Sequence, residues 1–516
     1  MNMAQINKIH VTNEAIASVQ TKQLLLEMNY IIPDNKPRIN SVVDVTVVPV
    51  ITNSVLNGSE IDFGISASND VVYNALSVSE EEEYLFSTAC SFTKSFRESI
   101  SLDDVGQGEQ SIYLISAQCD NAEVSVISDR KLMIKARVTV TAAVKDSKEL
   151  EAVENFEDEN MICKITQVSE KKSIAKVRAQ TFVKEDIDTQ GRLPAMDTIL
   201  AKNATVRIEN SRISDGKVIF YGTLDVDVLC SGLEGDPKFF SSSFDLDFNH
   251  SVDILEASDN AHPVIIPSVT ELITDVKESG VVGVEALLSF DVEVFDQCEC
   301  TLAEDAFMPG MDIVLKREEI KDSCTEIEQF DIGICSEKIS IENADICEVL
   351  FVQVQPSVCT AYIGGGNIYF DGMYTIKAYY IPKSDKNTIR AACAESTFSY
   401  TFETESTDYA VVSSWISVKN SSASMNDYGE IIVKWTGEAV AVTVGSCERC
   451  VITDATVEPS AAQEEKAIYY HFVEPGETAW DVAKQFKISP EKLCAMNQVS
   501  SDEELMSLKG IVVLKG

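Results

Sequence analysis

Histidine is scarce in this chain: His10, His250, His262 and His471 are the only four in 516 residues. A Cys-His or Ser-His nucleophilic site needs one of them beside a nucleophile and an orienting acid. No recognisable motif surrounds any of the four, and His471 reads as a structural residue in a strand. Basic residues are also few, 42 Lys and Arg against 83 Asp and Glu, for a formal net charge of -41. A field of that sign repels nucleic-acid phosphates and anionic membrane surfaces and favours basic partners. Long apolar runs are missing, and stretches such as Val45 to Ile51 are far too short to span a bilayer. Met1 to His10 holds one lysine and no apolar run of secretory length, so the expectation is a protein kept in the cytosol. There the 14 cysteines are expected as thiols, not as a disulfide framework. The many carboxylates single out no glycosidase-like pair. These absences together point to a non-enzyme without cofactor, nucleic-acid ligand or membrane insertion.

What the chain does have is a pattern repeated three times. Glycines stand at Gly58 and Gly64, Gly216 and Gly222, and Gly366 and Gly372; phenylalanines follow at Phe92 and Phe96, Phe244 and Phe248, and Phe398 and Phe402. In Phe244-Asp245-Leu246-Asp247-Phe248 and Phe398-Ser399-Tyr400-Thr401-Phe402 every second residue is apolar or aromatic. That is the period of a strand with one buried face. Each copy opens with an apolar element (Ile39 to Val43, Met196 to Leu200, Ile346 to Leu350) and closes with a long alternating run. The closing runs are Leu132 to Val144, Val281 to Val294 and Ile431 to Val444. They are expected to turn inward Val138 and Val140, then Phe290, Val292 and Val294, then Val440, Val442 and Val444.

The first glycine of each pair suits a tight hairpin and the second a bulge or close backbone approach. A P-loop is excluded, because no lysine and hydroxyl residue follow into a helix. The pattern therefore predicts a mainly β chain of three repeated antiparallel sandwich- or barrel-like domains, at 1–147, 160–300 and 325–450. The charged stretches Asp146 to Asn160 and Lys316 to Gln329 are expected to be exposed connections, and 451–466 a flexible linker. Cys298 and Cys300, like Cys447 and Cys450, follow the last strand of a repeat. A four-thiolate zinc site would need pairs from two domains to meet; later cross-linking and plain inert thiols are the alternatives, and no metal site is assigned.

The last fifty residues change period. Tyr470 to Val473 reads as a strand and Glu474 to Glu477 as a turn. Thr478 with Asp481 forms a capping-box arrangement for a first helix, and Ser489 before Pro490 starts a second. Ile511 to Leu514 returns as a strand, giving a βααβ module at 467–516. The string Val473-Glu474-Pro475-Gly476-Glu477-Thr478-Ala479-Trp480-Asp481-Val482-Ala483, with Ile488-Ser489, Leu493 and Asn497, resembles the LysM domain. Ala479 stands where that domain has a large aliphatic residue. Ser507-Leu508-Lys509-Gly510 replaces its proline-glycine-glutamine loop, which counts against glycan binding.

Three β-rich repeats ahead of one LysM, with Pro33, Pro37 and Pro194 in the opening segments, resemble the spore coat-associated (SPOCS) repeat proteins of anaerobic spore-formers. The resemblance implies a scaffold in the mother-cell cytosol at the forespore surface, whose LysM grips the coat morphogenetic ATPase SpoIVA. The partner-binding residues so implied are Pro475, Gly476, Glu477, Thr478, Trp480, Asn497 and Lys509. Self-association through strand edges would add multivalency. A peptidoglycan-binding wall protein and a polymerising subunit of coat or appendage are the competing readings.

Overall fold

Alternation of apolar and polar residues accounts for most of the molecule. The computed structural model describes the chain apart from residues 1, 4–5, 79–82, 103–109, 159, 190–191, 234–237, 255–256, 259–260, 279, 310, 408, 460–466 and 516, with some strand residues described by backbone alone. After a short strand β1 (Asn2–Met3), the first repeat runs β2 (Ile6–Ile31), β3 (Ile39–Asn57), β4 (Glu60–Val78), β5 (Glu83–Ser101), β6 (Gln110–Ser128) and β7 (Lys131–Phe156). The second runs β8 (Ile162–Asp188), β9 (Met196–Ser214), β10 (Lys217–Gly232), β11 (Phe239–Asp253), β12 (His262–Glu278) and β13 (Val281–Phe307). The third runs β14 (Met311–Ser340), β15 (Glu348–Gly364), β16 (Asn367–Ile381), β17 (Arg390–Glu403), β18 (Tyr409–Met425) and β19 (Glu430–Pro459).

Each repeat is the same sandwich. Strands two, three and four form one antiparallel sheet, and the last strand pairs between the first and the fifth in the other. The buried faces meet in one apolar core per repeat. In β7, Leu132, Ile134, Ala136, Val138 and Val140 are all fully buried; in β13 the same holds from Val282 through Phe290 and Val292 to Val294 at every second place. Burial of each such side chain stabilises the fold by about 1.5–3 kcal/mol. The phenylalanine pairs lie four apart on the fourth strands and pack against these cores, as a period of two requires.

The glycines behave as turn and bulge residues. Gly58, Gly216 and Gly366 have φ of 63°, 69° and 79° in the hairpin between strands two and three. Gly64, Gly222 and Gly372 each face an irregularity in the partner strand, and a Cβ on Gly222 would collide with the Arg207 carbonyl oxygen.

Two expectations are corrected. In β19 the alternation runs unbroken on the odd positions, with Ile431, Val433 and Trp435 in the core. Ala439 and Ala441 consequently face the sandwich core, while Val442 and Val444 are buried on the other face with Ile327 and Trp415. The acidic stretches are not linkers either. The first and last strands of each repeat outrun their sandwich and pair as a ribbon, so 146–156, 316–329 and 451–459 are strand. Their charged residues alternate with apolar ones that bury between the three ribbons: Ala152 and Val153 are fully buried, Ile320 and Ala455 nearly so. Residues 460–466 of the expected linker lie outside the described residues.

The three sandwiches do not form an open array. The fourth strand of each repeat touches the second strand of the next, β5 with β9, β11 with β15, and β17 with β3, which closes a ring. At its centre Val72, Leu200, Leu229, Phe351 and Tyr379 share a core drawn from all three repeats. Beside it lies a buried ion pair between repeats three and one. Lys377 Nζ stands 2.9 Å from Asp44 Oδ2, with side chains 12% and 9% exposed, and the Tyr379 hydroxyl donates to the same oxygen at 2.6 Å. The Asp44 charge and the burial of Tyr379 keep that phenol protonated, its pKa raised well above the ordinary value first by burial and then by Asp44.

Removing one member of such a pair strands the other charge, at a cost of about 3–5 kcal/mol. Asp44→Ala should therefore lower the urea midpoint by a large fraction of the total stability. Asp44→Ala with Lys377→Met should recover most of the loss. An Asp44→Ala variant as stable as the parent would show that the ring closes without this pair.

Candidate partner-binding site

The C-terminal module is built by short-range capping signals. Strand β20 (Ala467–His471) pairs antiparallel with β21 (Ile511–Lys515), and α1 (Ala479–Phe486), α2 (Pro490–Met496) and α3 (Asp502–Ser507) lie between. Thr478 caps α1: its hydroxyl accepts from the Asp481 amide, and the Asp481 carboxylate accepts from the Thr478 amide at 2.9 Å. These hydrogen bonds hold the Asp481 carboxyl below the ordinary aspartate value. Ser489 caps α2 with Pro490 in its first turn. The third helix was not expected. Its signal is present in Ser501 and Glu504, since the Ser501 hydroxyl accepts from the Glu504 amide and the Glu504 carboxylate accepts from the Ser500 amide. One face of the module packs Val482, Ala483, Leu493, Leu505, Ile511 and Val513 into its own core.

The residues expected at the site divide by what they touch. Glu477 accepts from the Glu474 amide at 3.0 Å and lies 2.9 Å from His471 Nε2. Burial alone would raise its pKa, but the Glu474 amide and the His471 ring together hold the carboxyl below the ordinary glutamate value. Asn497 staples α2 to β21: its amide donates to the Leu493 and Val512 carbonyls at 2.9 Å each, and its carbonyl accepts from the Val512 amide at 2.7 Å. Pro475, Gly476, Thr478 and Lys509 are exposed, and Gly476 occupies the turn with φ 88°.

Trp480 is engaged within the chain. Its indole NH donates to Asp305 Oδ2 at 3.0 Å, and its ring meets Phe307 edge-on at 5.2 Å. One turn on, Lys484 Nζ reaches both Asp305 oxygens at 2.8 and 2.6 Å. Arg317 adds a contact to Asp305 at 2.7 Å, and Lys487 pairs with Asp312. Residues 480 and 484 share one face of α1, so a single helical turn grips the tip of the second ribbon. Phe307 and Ile162 pack into the module core from that tip. Nothing in the sequence joins Asp305 to Trp480, because they are 175 positions apart.

With α1 turned to the body, the sheet presents its other face outward. Ile468, Tyr470 and Phe472 occupy alternate places and are 77%, 59% and 70% exposed. Leu514, paired with Ile468, extends the surface, and the Tyr470 ring covers Gly510, leaving no room for a Cβ there. The alternation is readable in the sequence, and both faces of the strand carry apolar or aromatic residues.

Among the described residues no group of three or more His, Cys, Asp or Glu is placed to hold a metal ion. Cys300 is half-buried beside the ribbon core and Cys450 is exposed, while the side chains of Cys298 and Cys447 lie outside the described residues. No helix among the described residues is long and apolar enough to cross a membrane.

Three like sandwiches closed into a ring and capped by a strand–helix–strand module define a repeat protein with a small binding module attached. Residues 195–277, which span β9 to nearly the end of β12, match the SipL, SPOCS domain. Residues 471–507 match the LysM domain. The chain thus carries a SPOCS domain and a LysM domain, both non-catalytic binding or structural types, the first spore-associated. Repeats one and three share the six-strand order of the matched one. No curated protein and no solved structure matches the chain.

The grip on Asp305 predicts a pH-dependent dock. Burial alone would raise the Asp305 pKa, but hydrogen bonds from Lys484 and Trp480, with the Lys484 charge, hold it below the ordinary aspartate value. A carboxylate depressed in the docked state contributes fully above about pH 4 and loses its contribution as pH falls further. Hydrogen exchange should therefore show α1 and β13 near Asp305 protected at pH 7 and losing that protection together only as the pH falls below about 4. Asp305→Ala should give the deprotected pattern at pH 7, with the sandwich cores unchanged. Continued protection in that variant would show that Phe307 alone holds the module.

Proposed function

We propose that the chain is a non-enzymatic scaffold of the spore coat, acting in the mother-cell cytosol at the forespore surface, and that its LysM domain recruits the coat ATPase SpoIVA. The single observation that carries this reading is the outward face of Ile468, Tyr470 and Phe472. Contiguous exposed apolar side chains mark protein contacts, and Tyr and Phe are enriched at the centres of such contacts. The match to the SPOCS domain supports the spore setting. The Ser507 to Gly510 loop, where a glycan-binding LysM resembles proline-glycine-glutamine, favours a protein partner over peptidoglycan.

The test pairs the full chain with a Tyr470→Asp and Phe472→Asp double variant, each offered purified SpoIVA and, separately, purified sacculi. The parent should retain SpoIVA, and the variant should lose at least about tenfold in affinity, as hot-spot residues do. Retention on sacculi without SpoIVA would replace this reading with the wall-binding one. Filaments of the parent alone, with neither ligand retained, would favour the polymerising subunit.

A further inference from the structure

The outer faces of the three sheets that hold the first, fifth and last strands of each repeat converge on the centre of the ring without filling it. They leave a cavity of about 360 Å³, within the range of small-molecule sites. Its three walls differ chemically. The first repeat supplies small side chains, Ser116, Thr141 and Ala143; the third supplies Ile327, Trp415 and Val442. The second supplies charge: Lys176, Asp291 and Glu293 line it beside Val264 and Ile266. The Cys359 thiol also faces the cavity, and burial pushes it up to about 11, so it remains neutral.

The two carboxylates of the charged wall are not equivalent. Asp291 accepts from Arg178 through both oxygens, at 3.0 and 3.2 Å. Among the described residues Glu293 has an ion pair with Lys176 at 3.9 Å, beyond hydrogen-bond distance, and its side chain is just 18% exposed. An inward carboxylate whose cation stands off, in a largely apolar chamber that also contains an indole, suits an ammonium group. The carboxylate offers the ammonium a charge-assisted hydrogen bond, and the indole offers the rest of the ligand an apolar face. A carboxylate ligand would meet Asp291 and Glu293 there, with only Lys176 of the lining to offset them.

We propose that this central cavity binds a small apolar amine, its ammonium on Glu293 and its apolar body between Val264, Ile266, Ile327 and Trp415. Because all three repeats line the chamber, an occupant links them and stabilises the closed ring by mass action. The site is independent of the LysM surface.

The full chain is titrated with 4-phenylbutylamine, with the isosteric 4-phenylbutyrate and with 4-phenylbutanol, following the melting temperature and tryptophan emission. The amine should give a saturable rise in melting temperature and bind at least about tenfold tighter than the carboxylate, the scale of one charge-assisted hydrogen bond. Glu293→Gln should bring amine and alcohol to similar affinity. Ala143→Leu, which narrows the chamber, should weaken all three ligands. Equal binding of amine and carboxylate by the parent, or no saturable response to any ligand, overturns the proposal. So does an amine affinity unchanged in both variants, which would place the ligand elsewhere.

Discussion

Asp44 and Lys377 meet across 333 positions of sequence, and the architecture depends on that closure. Six-strand sandwiches in series would otherwise expose the apolar ends of their inner sheets, where Phe351, Leu200 and Val72 now pack together. The apolar core supplies the driving force, being non-directional. The buried pair supplies selectivity, because a charge that must find its partner in low dielectric penalises any other arrangement of the three repeats. Lys202 and Asp70, 3.3 Å apart between repeats two and one, place a second charge contact at the neighbouring junction. Three similar domains are thereby given distinct neighbours.

Much of the single-domain level was legible because it is local. The spacing of Gly58 and Gly64, or of Phe244 and Phe248, encodes one hairpin and one strand face, and the structure places them so. The Thr478 and Asp481 box marks a helix start for the same reason. Long-range closure leaves no such trace. The ribbons were misread as linkers because charge density was weighed above period; 316–329 is acidic, yet Ile320 is buried within it. Val440, Val442 and Val444 were assigned to the wrong face because the core-facing places of that strand hold the small Ala439 and Ala441, and a one-residue misreading of a strand exchanges its faces. At the candidate site, the capping and turn residues were readable. The use of Trp480 was not, since its partner Asp305 belongs to a repeat folded long before it in the chain.

The acidic surplus acquires a local meaning at the module. Of its lysines, Lys484 and Lys487 are spent on Asp305 and Asp312, so docking removes positive charge from the surface the module presents. Glu474, Asp502, Glu503 and Glu504 remain exposed. Under the proposed function, this acidic excess favours partners with flanking lysine or arginine and raises their encounter rate at low salt. Electrostatics and hydrophobic burial thus divide the work of recognition between approach and grip.

The ribbons carry a further consequence. Their ends pack together where 156 passes to 162 and 307 to 311, and the module docks there once, on the tip of the second ribbon and on Asp312 of the third. The frame repeats threefold, whereas its address is single. Under the proposed function each molecule therefore presents one partner surface in one orientation per three sandwiches. A layer built from such units would have its stoichiometry and polarity set by the frame, and any lateral linkage would have to come from sheet edges or from the recruited protein.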